Sequence, residues 1–357
     1  MPGFSPTSPT VSVLLAAHDD ERSIRRALES LEAQTLANFE VVAVDAGSSD
    51  QTGRILDTMA ERDLRIGVDH VESDDLAEAL DLALERARGR YVLVMDANAW
   101  AEPGLLGDFV EAADQGALEL VLGGFTVDLT FGQRGMQLDA DPGDAKFPTQ
   151  HDFRTAAWSL FDSGVMAPCC AKLFSRASIL ERGITFVGSG ASRHGFTLAF
   201  LRDVERVGGA AGCKYHLAQD LGAGGMRDFD ASSAFASLEH EYQATLELFR
   251  GWGMEGDAAT MEMLQRRYME MLADCLGAVA TMGGVVPSTG ELAHVTSMIC
   301  NDRAQLAASV ARPRDGYTRA MTSPIKSGNA RLAYAQAKLW SVLRHGQPAY
   351  LAPDVYA

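Results

Sequence analysis

From residue 11 the chain alternates short apolar runs with longer stretches in which apolar residues recur every three or four positions. Val11 to Ala17 is an apolar run with the profile of a covered strand, and it ends in His18-Asp19-Asp20-Glu21. Ile24, Ala27, Leu28 and Leu31 then fall on one helical face, which predicts a helix over 21–34 packed against a sheet. Glu40 to Val44 predicts a second strand, followed by Asp45-Ala46-Gly47-Ser48-Ser49-Asp50. Gly47 permits a tight turn there, and Ser49 or Asp50 suits the cap of a helix that buries Ile55, Leu56 and Met59. Ile66 to Val71 predicts a third strand, and Leu76, Ala79, Leu80, Ala83, Leu84 and Ala87 a one-sided helix stopped at Gly89. Tyr91 to Met95 is a fourth strand, apolar on both faces as a parallel strand under helices should be, and Pro103 starts another helix.

Strands alternating with helices predict an open α/β sheet, and such sheets bind ligands beyond the carboxyl ends of their strands. The polar clusters around Asp19, Asp45 and Asp96 all fall at those ends. Taken singly, each also suits an ordinary cap or turn, because Asp, Asn, Ser and Gly are what turns use. After about residue 231 the period becomes purely helical. Phe235, Leu238, Tyr242, Leu246 and Phe249 define one helix, and Met261, Leu264, Tyr268, Met271, Leu272 and Cys275 another, with further helices expected at 289–309 and 326–344. Methionines 261, 263, 269 and 271 read as core filling.

Four segments in order, VSVLLAAHDDE, RALESLEAQT, NFEVVAVDAGSSDQTGRIL and ARGRYVLVMDANAWAEP, resemble family 2 glycosyltransferases, the inverting enzymes of GT-A fold that use nucleotide sugars. A fainter likeness continues through Ala167-Pro168-Cys169-Cys170-Ala171-Lys172-Leu173-Phe174-Ser175-Arg176 and Gly183-Ile184-Thr185-Phe186, matching the family's acceptor-side segment. The resemblance implies an α/β GT-A fold, an open, mixed and mostly parallel sheet flanked by helices, followed by an α-helical carboxyl-terminal region. The expected division is a polar arm at 1–9, a glycosyltransferase-like domain at 10–230 and a helical region at 231–357. Within the domain, 10–115 would be the nucleotide-binding half and 116–230 the acceptor half.

By the same resemblance, Asp45 accepts a hydrogen bond from the nucleotide base, usually uracil, and Ala16, Ala17 and His18 line base and ribose. Asp19, Glu21, Ala46, Asp75, Leu80 and Ala97 extend the donor site. Asp96 matches the first carboxylate of the family's Asp-x-Asp motif, which holds Mn2+ or Mg2+ against the donor diphosphate, with Asn98 in the second position and His216 as a further candidate ligand. A hard cation wants oxygen ligands, and it neutralises charge that develops on the departing nucleotide.

Several family residues are replaced. Asn98 brings an amide oxygen but no charge, so metal affinity should fall. Ala46 stands for a carboxylate, and Leu80-Asp81 for an Arg-Asn pair, which removes a charge-assisted donor. Inversion needs a carboxylate to take the acceptor's proton, and the resemblance places a Glu-Asp pair between Phe186 and Phe196. No acidic residue occurs from Arg182 through Arg202. His194 is the candidate base that remains in that stretch, read as a loop residue, while Asp152, Asp162 and Asp203 are acids that spacing does not select among. Lys214-Tyr215-His216 falls where the family has a tyrosine-rich strand, and the basic loop expected next is replaced by Ala218-Gln219-Asp220 and the run Gly222-Ala223-Gly224-Gly225.

With 357 residues and 47% hydrophobic content, the chain can bury one large core or two smaller ones. A net charge of −17 argues against a nucleic-acid partner and makes an anionic donor harder to hold. Five cysteines without metal-ligand spacing suit a reducing compartment, and the adjacent Cys169-Cys170 read as small core residues. Met1 to Pro9 lacks the basic and apolar regions of a signal peptide, and no apolar stretch is long enough to span a membrane. The expected setting is cytoplasmic, with peripheral membrane contact left open. Three readings follow: an active transferase acting on a glycan or other hydroxyl acceptor, a non-catalytic nucleotide-sugar-binding relative that regulates or scaffolds a partner, and an oligomerisation module, such as a homodimer, built on the carboxyl-terminal helices.

Overall fold

A computed structural model describes residues 8–131, 134–166, 168–220 and 231–343. The arm at 1–7, Ala167 of the acceptor segment, the glycine run at 222–225 and the chain from 344 onward lie outside the described residues. Two compact units divide the chain, Met1–Gln219 and Asp220–Ala357.

The first unit begins β1 (Val11–Ala17), α1 (Ile24–Glu32), β2 (Phe39–Ala46), α2 (Thr52–Ala60), β3 (Ile66–Val71), α3 (Leu76–Arg86) and β4 (Tyr91–Val94). It continues β5 (Ala99–Ala101), α4 (Leu105–Gly116), β6 (Leu120–Phe131), β7 (Arg134–Ala140), β8 (Lys146–Phe147) and α5 (Gln150–Asp162). It closes with β9 (Lys172–Ser175), α6 (Arg176–Arg182), a 3-10 turn (Val187–Ser189), α7 (Arg193–Leu201) and β10 (Val207–Asp220). The sheet is open and mixed, in the order β3-β2-β1-β4-β9-β6-β10-β5, with β7 on β6 and β8 on β10. β3, β2, β1 and β4 are parallel, whereas β9 runs antiparallel to β4 and β6.

The apolar runs become parallel strands because helices cover them. Val11, Val13, Leu14 and Leu15 are fully buried, as are Ile24, Ala27 and Leu28 of α1. Ser12 and Glu40 are buried polar residues of this layer, and they satisfy each other. Ser12 Oγ donates to Glu40 Oε1 at 2.7 Å and accepts the Gly89 amide at 2.8 Å, while the Arg88 guanidinium reaches Glu40 Oε2 at 2.6 Å. Burial alone would raise the Glu40 carboxyl, but the donors from Ser12 and Arg88 outweigh it and hold the group below the usual range. On the acceptor side the core is aromatic: Phe186 stacks on Phe196 at 4.1 Å, and Phe174 meets Phe196 and Phe200 edge-on.

The second unit contains α8 (Ala231–Gly251), α9 (Ala258–Met282), α10 (Thr289–Ile299), α11 (Asp302–Val310), α12 (Gly316–Lys326) and α13 (Ala330–Leu343). The other five helices pack around α9, whose Met263 and Met269 are fully buried. The helix expected over 289–309 is two helices, because Asn301 caps a new start by accepting the Ala304 amide at 2.9 Å. α12 went unpredicted. Its Pro324 reads as a breaker, yet it lies inside the last turn before Ser327. Among the described residues, no helix is long and apolar enough to cross a membrane.

Candidate donor-sugar site

β1 lies between β2 and β4, so the loops after these three strands open side by side. Chain order reverses between β1 and β4, which is where a parallel sheet leaves a crevice at its carboxyl edge. The loops after β1 and β2 are laced together. Asp19, at φ 54°, accepts the Ser49 amide at 2.7 Å and the Asp50 amide at 3.3 Å. Its own amide donates to Ser48 Oγ at 3.0 Å, the Asp20 amide to Thr52 Oγ1 at 2.7 Å and the Glu21 amide to Asp50 Oδ2 at 3.0 Å. Glu21 returns a bond by accepting the Gln51 amide at 3.2 Å. These backbone donors, Ser49 first, hold the Asp19 carboxyl below the usual range. Asp19 and Glu21 therefore shape the crevice wall with their carboxylates. Asp50, expected as a cap, accepts the Thr52 amide at 2.8 Å as α2 begins.

Asp45 is buried near the end of β2, with Oδ1 accepting the Ser48 amide at 3.3 Å. Opposite it in register on β3 is His70, whose Nδ1 lies 2.9 Å from Asp45 Oδ2 and whose Nε2 lies 3.0 Å from Asp57 Oδ1. Only the imidazolium can donate to both carboxylates, and the bond to Asp45, then that to Asp57, raises its pKa. Gly53 makes room for this pair: a Cβ there would lie 2.4 Å from Asp45 Oδ2. His18 turns Nδ1 onto the Ala46 carbonyl at 2.6 Å, and that bond is the main cause of its raised pKa. Ala16 is half-buried, and Ala17, Ala46 and Ala97 are buried.

Two expected donor-side residues serve the fold. Leu80 is 3% exposed on the core face of α3, so it has nothing to offer a phosphate. Asp75 caps that helix, accepting the Ala77 amide at 2.8 Å and the Glu78 amide at 3.3 Å. The neighbouring Asp81 accepts the Phe186 and Val187 amides at 2.6 and 3.0 Å and so fixes the 3-10 turn on the acceptor side.

After β4, Asp96 is held from two directions. Its amide donates to Tyr215 Oη at 3.1 Å, and Tyr215 Oη in turn donates to Asp96 Oδ2 at 3.2 Å. Its other oxygen is ion-paired with the Arg193 guanidinium. Asn98 points its amide nitrogen at the Ala218 carbonyl, 3.1 Å away. His216 stacks on Trp100 at 4.8 Å, with Nδ1 3.3 Å from Asp128 and Nε2 3.7 Å from Glu102. Arg26 covers Trp100 at 3.9 Å and donates to the Asn98 carbonyl at 3.1 Å.

The three residues expected to ligate a cation thus do not converge. Asp96 faces a guanidinium, Asn98 a carbonyl and His216 other carboxylates. Among the described residues, no group of three or more His, Cys, Asp or Glu side chains could hold a metal ion. As they stand, these three residues do not form a shared cation site.

His194 corrects another expectation, because it is not in a loop. It lies in the first turn of α7, only 4% exposed, where packing removes it from an acceptor. Cys169 and Cys170 are buried as expected, their thiols pushed up to about 11 and about 12 by desolvation. Beside them Lys172 is buried too, donating to the Val165 carbonyl at 2.9 Å and to that of Pro168, and burial pulls it down to about 8.

Sequence reasoning passed over His70, Arg193 and Asp128. A signal existed for one of them, since Arg193 is a basic residue in the stretch where acids were sought. The strand partners of His70 and Asp128 lie far off in sequence, at 45 and 216, and no local spacing marks them.

Residues 12–180 match the family model described as Glycosyl transferase family 2. The amino-terminal unit belongs to glycosyl transferase family 2. Among curated relatives of this glycosyltransferase unit, the putative glycosyltransferase EpsH of Bacillus subtilis is 29% identical over 189 residues, 52% of this chain and 53% of its own. The uncharacterized glycosyltransferase EpsJ of the same organism is 32% identical over 117 residues, 33% of this chain and 34% of its own. The chain thus spans about half the length, or less, of these relatives. Among solved structures, S. aureus TarS 1-349 in complex with UDP-GlcNAc is 18% identical at a TM-score of 0.58, covering 95% of this chain and 92% of that one. The mannosyltransferase PcManGT from Pyrobaculum calidifontis, in complex with GDP-Man and Mn2+, is 17% identical at 0.50, covering 96% and 89%. At these identities the likeness shows a shared GT-A fold.

Proposed function

We propose that the glycosyltransferase unit takes a sugar from a nucleotide-diphosphate donor, a UDP-sugar in first place, and passes it with inversion to a hydroxyl of a glycan or other acceptor. The observation that carries this reading is the placing of Asp45 and Asp96 at the carboxyl ends of β2 and β4, on either side of β1. Asp45 is a buried acceptor suited to the imide N–H of uracil, and the β1/β4 crevice suits the diphosphate. TarS was solved in complex with UDP-GlcNAc and PcManGT with GDP-Man, which supports a nucleotide-diphospho-sugar as the donor class.

In the transfer, the acceptor oxygen attacks the anomeric carbon, the bond from that carbon to the diphosphate breaks, and the acceptor's proton passes to a base. His216 is the candidate for that last role, with Nε2 turned from Glu102 to the acceptor hydroxyl. It stands in register with Trp100, two positions from Asn98, and Asp128 orients its Nδ1. A carboxylate-oriented imidazole is a recurring general-base arrangement.

Binding and turnover are tested together. UDP at a hundred times its dissociation constant should stabilise the protein by about 2.7 kcal/mol in a thermal-shift assay. Asp45→Ala should weaken UDP about tenfold or more, and His216→Ala should lower UDP release from a turned-over UDP-sugar while leaving UDP affinity in place. No response to any uridine or guanosine nucleotide would sink the reading. A second reading, a nucleotide-sugar-binding relative without turnover, draws on the Asp96–Arg193 pair and the missing Glu-Asp pair. UDP binding without UDP release from any donor would favour it.

A further inference from the structure

We propose that Arg193 holds the donor diphosphate in the place of a divalent cation, so that this site binds its nucleotide without metal. The inference rests on the nucleotide-diphosphate reading of the crevice and identifies what grips the phosphates there.

Charge balance is the first support. A divalent cation held by an Asp-x-Asp motif has two carboxylates to balance it. A guanidinium carries one positive charge, and here it is ion-paired with Asp96, with the neutral Asn98 in the second position. The loss of the second acid and the arrival of a fixed arginine are thus complementary.

Placement is the second support. Arg193 is the first residue of the nine-residue α7, whose start is fixed by Ser192 Oγ accepting the Gly195 amide at 2.8 Å. Position 195 must be glycine for this turn to pack, because a Cβ there would lie 1.9 Å from the Ser189 carbonyl oxygen. The guanidinium pairs with Asp96, just after β4, and lies near enough to Asp20, after β1, to act on its charge. Both partners are largely shielded from water, Arg193 at 23% and Asp96 at 12% side-chain exposure, which strengthens the interaction. The amino terminus of α7 adds a dipole that also favours an anion.

Chemistry is the third. A guanidinium has five N–H donors in one plane, a fork that matches carboxylate and phosphate oxygens alike, so one arginine can bridge Asp96 to a diphosphate. Asp96 keeps the task its position implies, which is to hold a cation against the leaving group. The cation is a side chain and is always charged.

The test is calorimetric titration of the full chain with UDP and GDP, first in EDTA and then with Mn2+ or Mg2+. The wild type should bind at least one of them in EDTA, with affinity changed by no more than about twofold on adding metal. Arg193→Ala should weaken that nucleotide by about tenfold to a hundredfold and leave uridine or guanosine, which have no phosphate, within about twofold. Arg193→Lys, which keeps the charge but loses the fork, should fall between and decides the matter if the alanine variant fails to fold. Binding that requires metal, or an Arg193→Lys variant as tight as wild type, would overturn the inference while leaving the nucleotide site standing. No binding of UDP or GDP to the wild type under any condition would remove the site and the inference together.

Discussion

The donor side and the acceptor side of the glycosyltransferase unit treat charge in opposite ways. At the ends of β1 and β2, acids sit where a nucleotide-binding sheet places them, and each is tied down by backbone amides or by His70. Across the crevice, where an acid was expected, α7 presents Arg193. The first region keeps its anions and makes them rigid. The second has exchanged an anion for a cation, and Asp96 lies at the junction of the two. Substitutions that disturb one side alone can therefore separate the proposed donor pocket from the proposed phosphate grip.

The largest effect should come from the acceptor-side core. Phe196 is fully buried, stacked on Phe186 and edge-on to Phe174, so Phe196→Ala should cost about 3–5 kcal/mol in urea unfolding. A loss below about 1 kcal/mol would mean that α7 is not anchored by this cluster. On the donor side, Gly53→Ala should drive Asp45 from its place and weaken UDP about tenfold, with stability changed by less than about 1 kcal/mol, since alanine is the better helix former. Unchanged UDP affinity would break the link between Asp45 and the base. Asp81→Ala, which uncaps the 3-10 turn before α7, should cost about 1 kcal/mol by the same unfolding measurement.

The smallest effect is a pH dependence. His70 is 46% exposed and its pKa is raised by Asp45 and Asp57, so its contribution is fully present below the unfolded value of 6.5 and is lost as pH rises through the folded pKa. The difference in urea midpoint between wild type and His70→Ala should shrink across that interval. A difference that grows with pH would show that His70 is not held as an imidazolium.

The same contrast explains what the sequence made legible. β1 begins and ends where its apolar run does, because a doubly covered parallel strand must be apolar along its length. The polar clusters at Asp19, Asp45 and Asp96 were visible because strand ends are fixed once strands are. The roles of those residues were less visible. Glu21 and Asp75 turned out to bond the protein's own amides, an outcome set by loop geometry that spacing does not encode. Leu80 followed the helical period into the core, and a family position pulled the expectation away from that simpler reading. The acceptor side could be read only as a missing acid. That Arg193 fills the gap depends on where the first turn of α7 falls relative to β4, and this is a tertiary fact.

The central claim is that the donor pocket persists while a side chain does the cation's work. Its most direct test is electron paramagnetic resonance of Mn2+ titrated with the protein at saturating UDP, corrected for Mn2+ bound by UDP alone. The account predicts that the free Mn2+ signal stays at the protein-free level while UDP remains bound. Loss of one Mn2+ per UDP-loaded chain would contradict it.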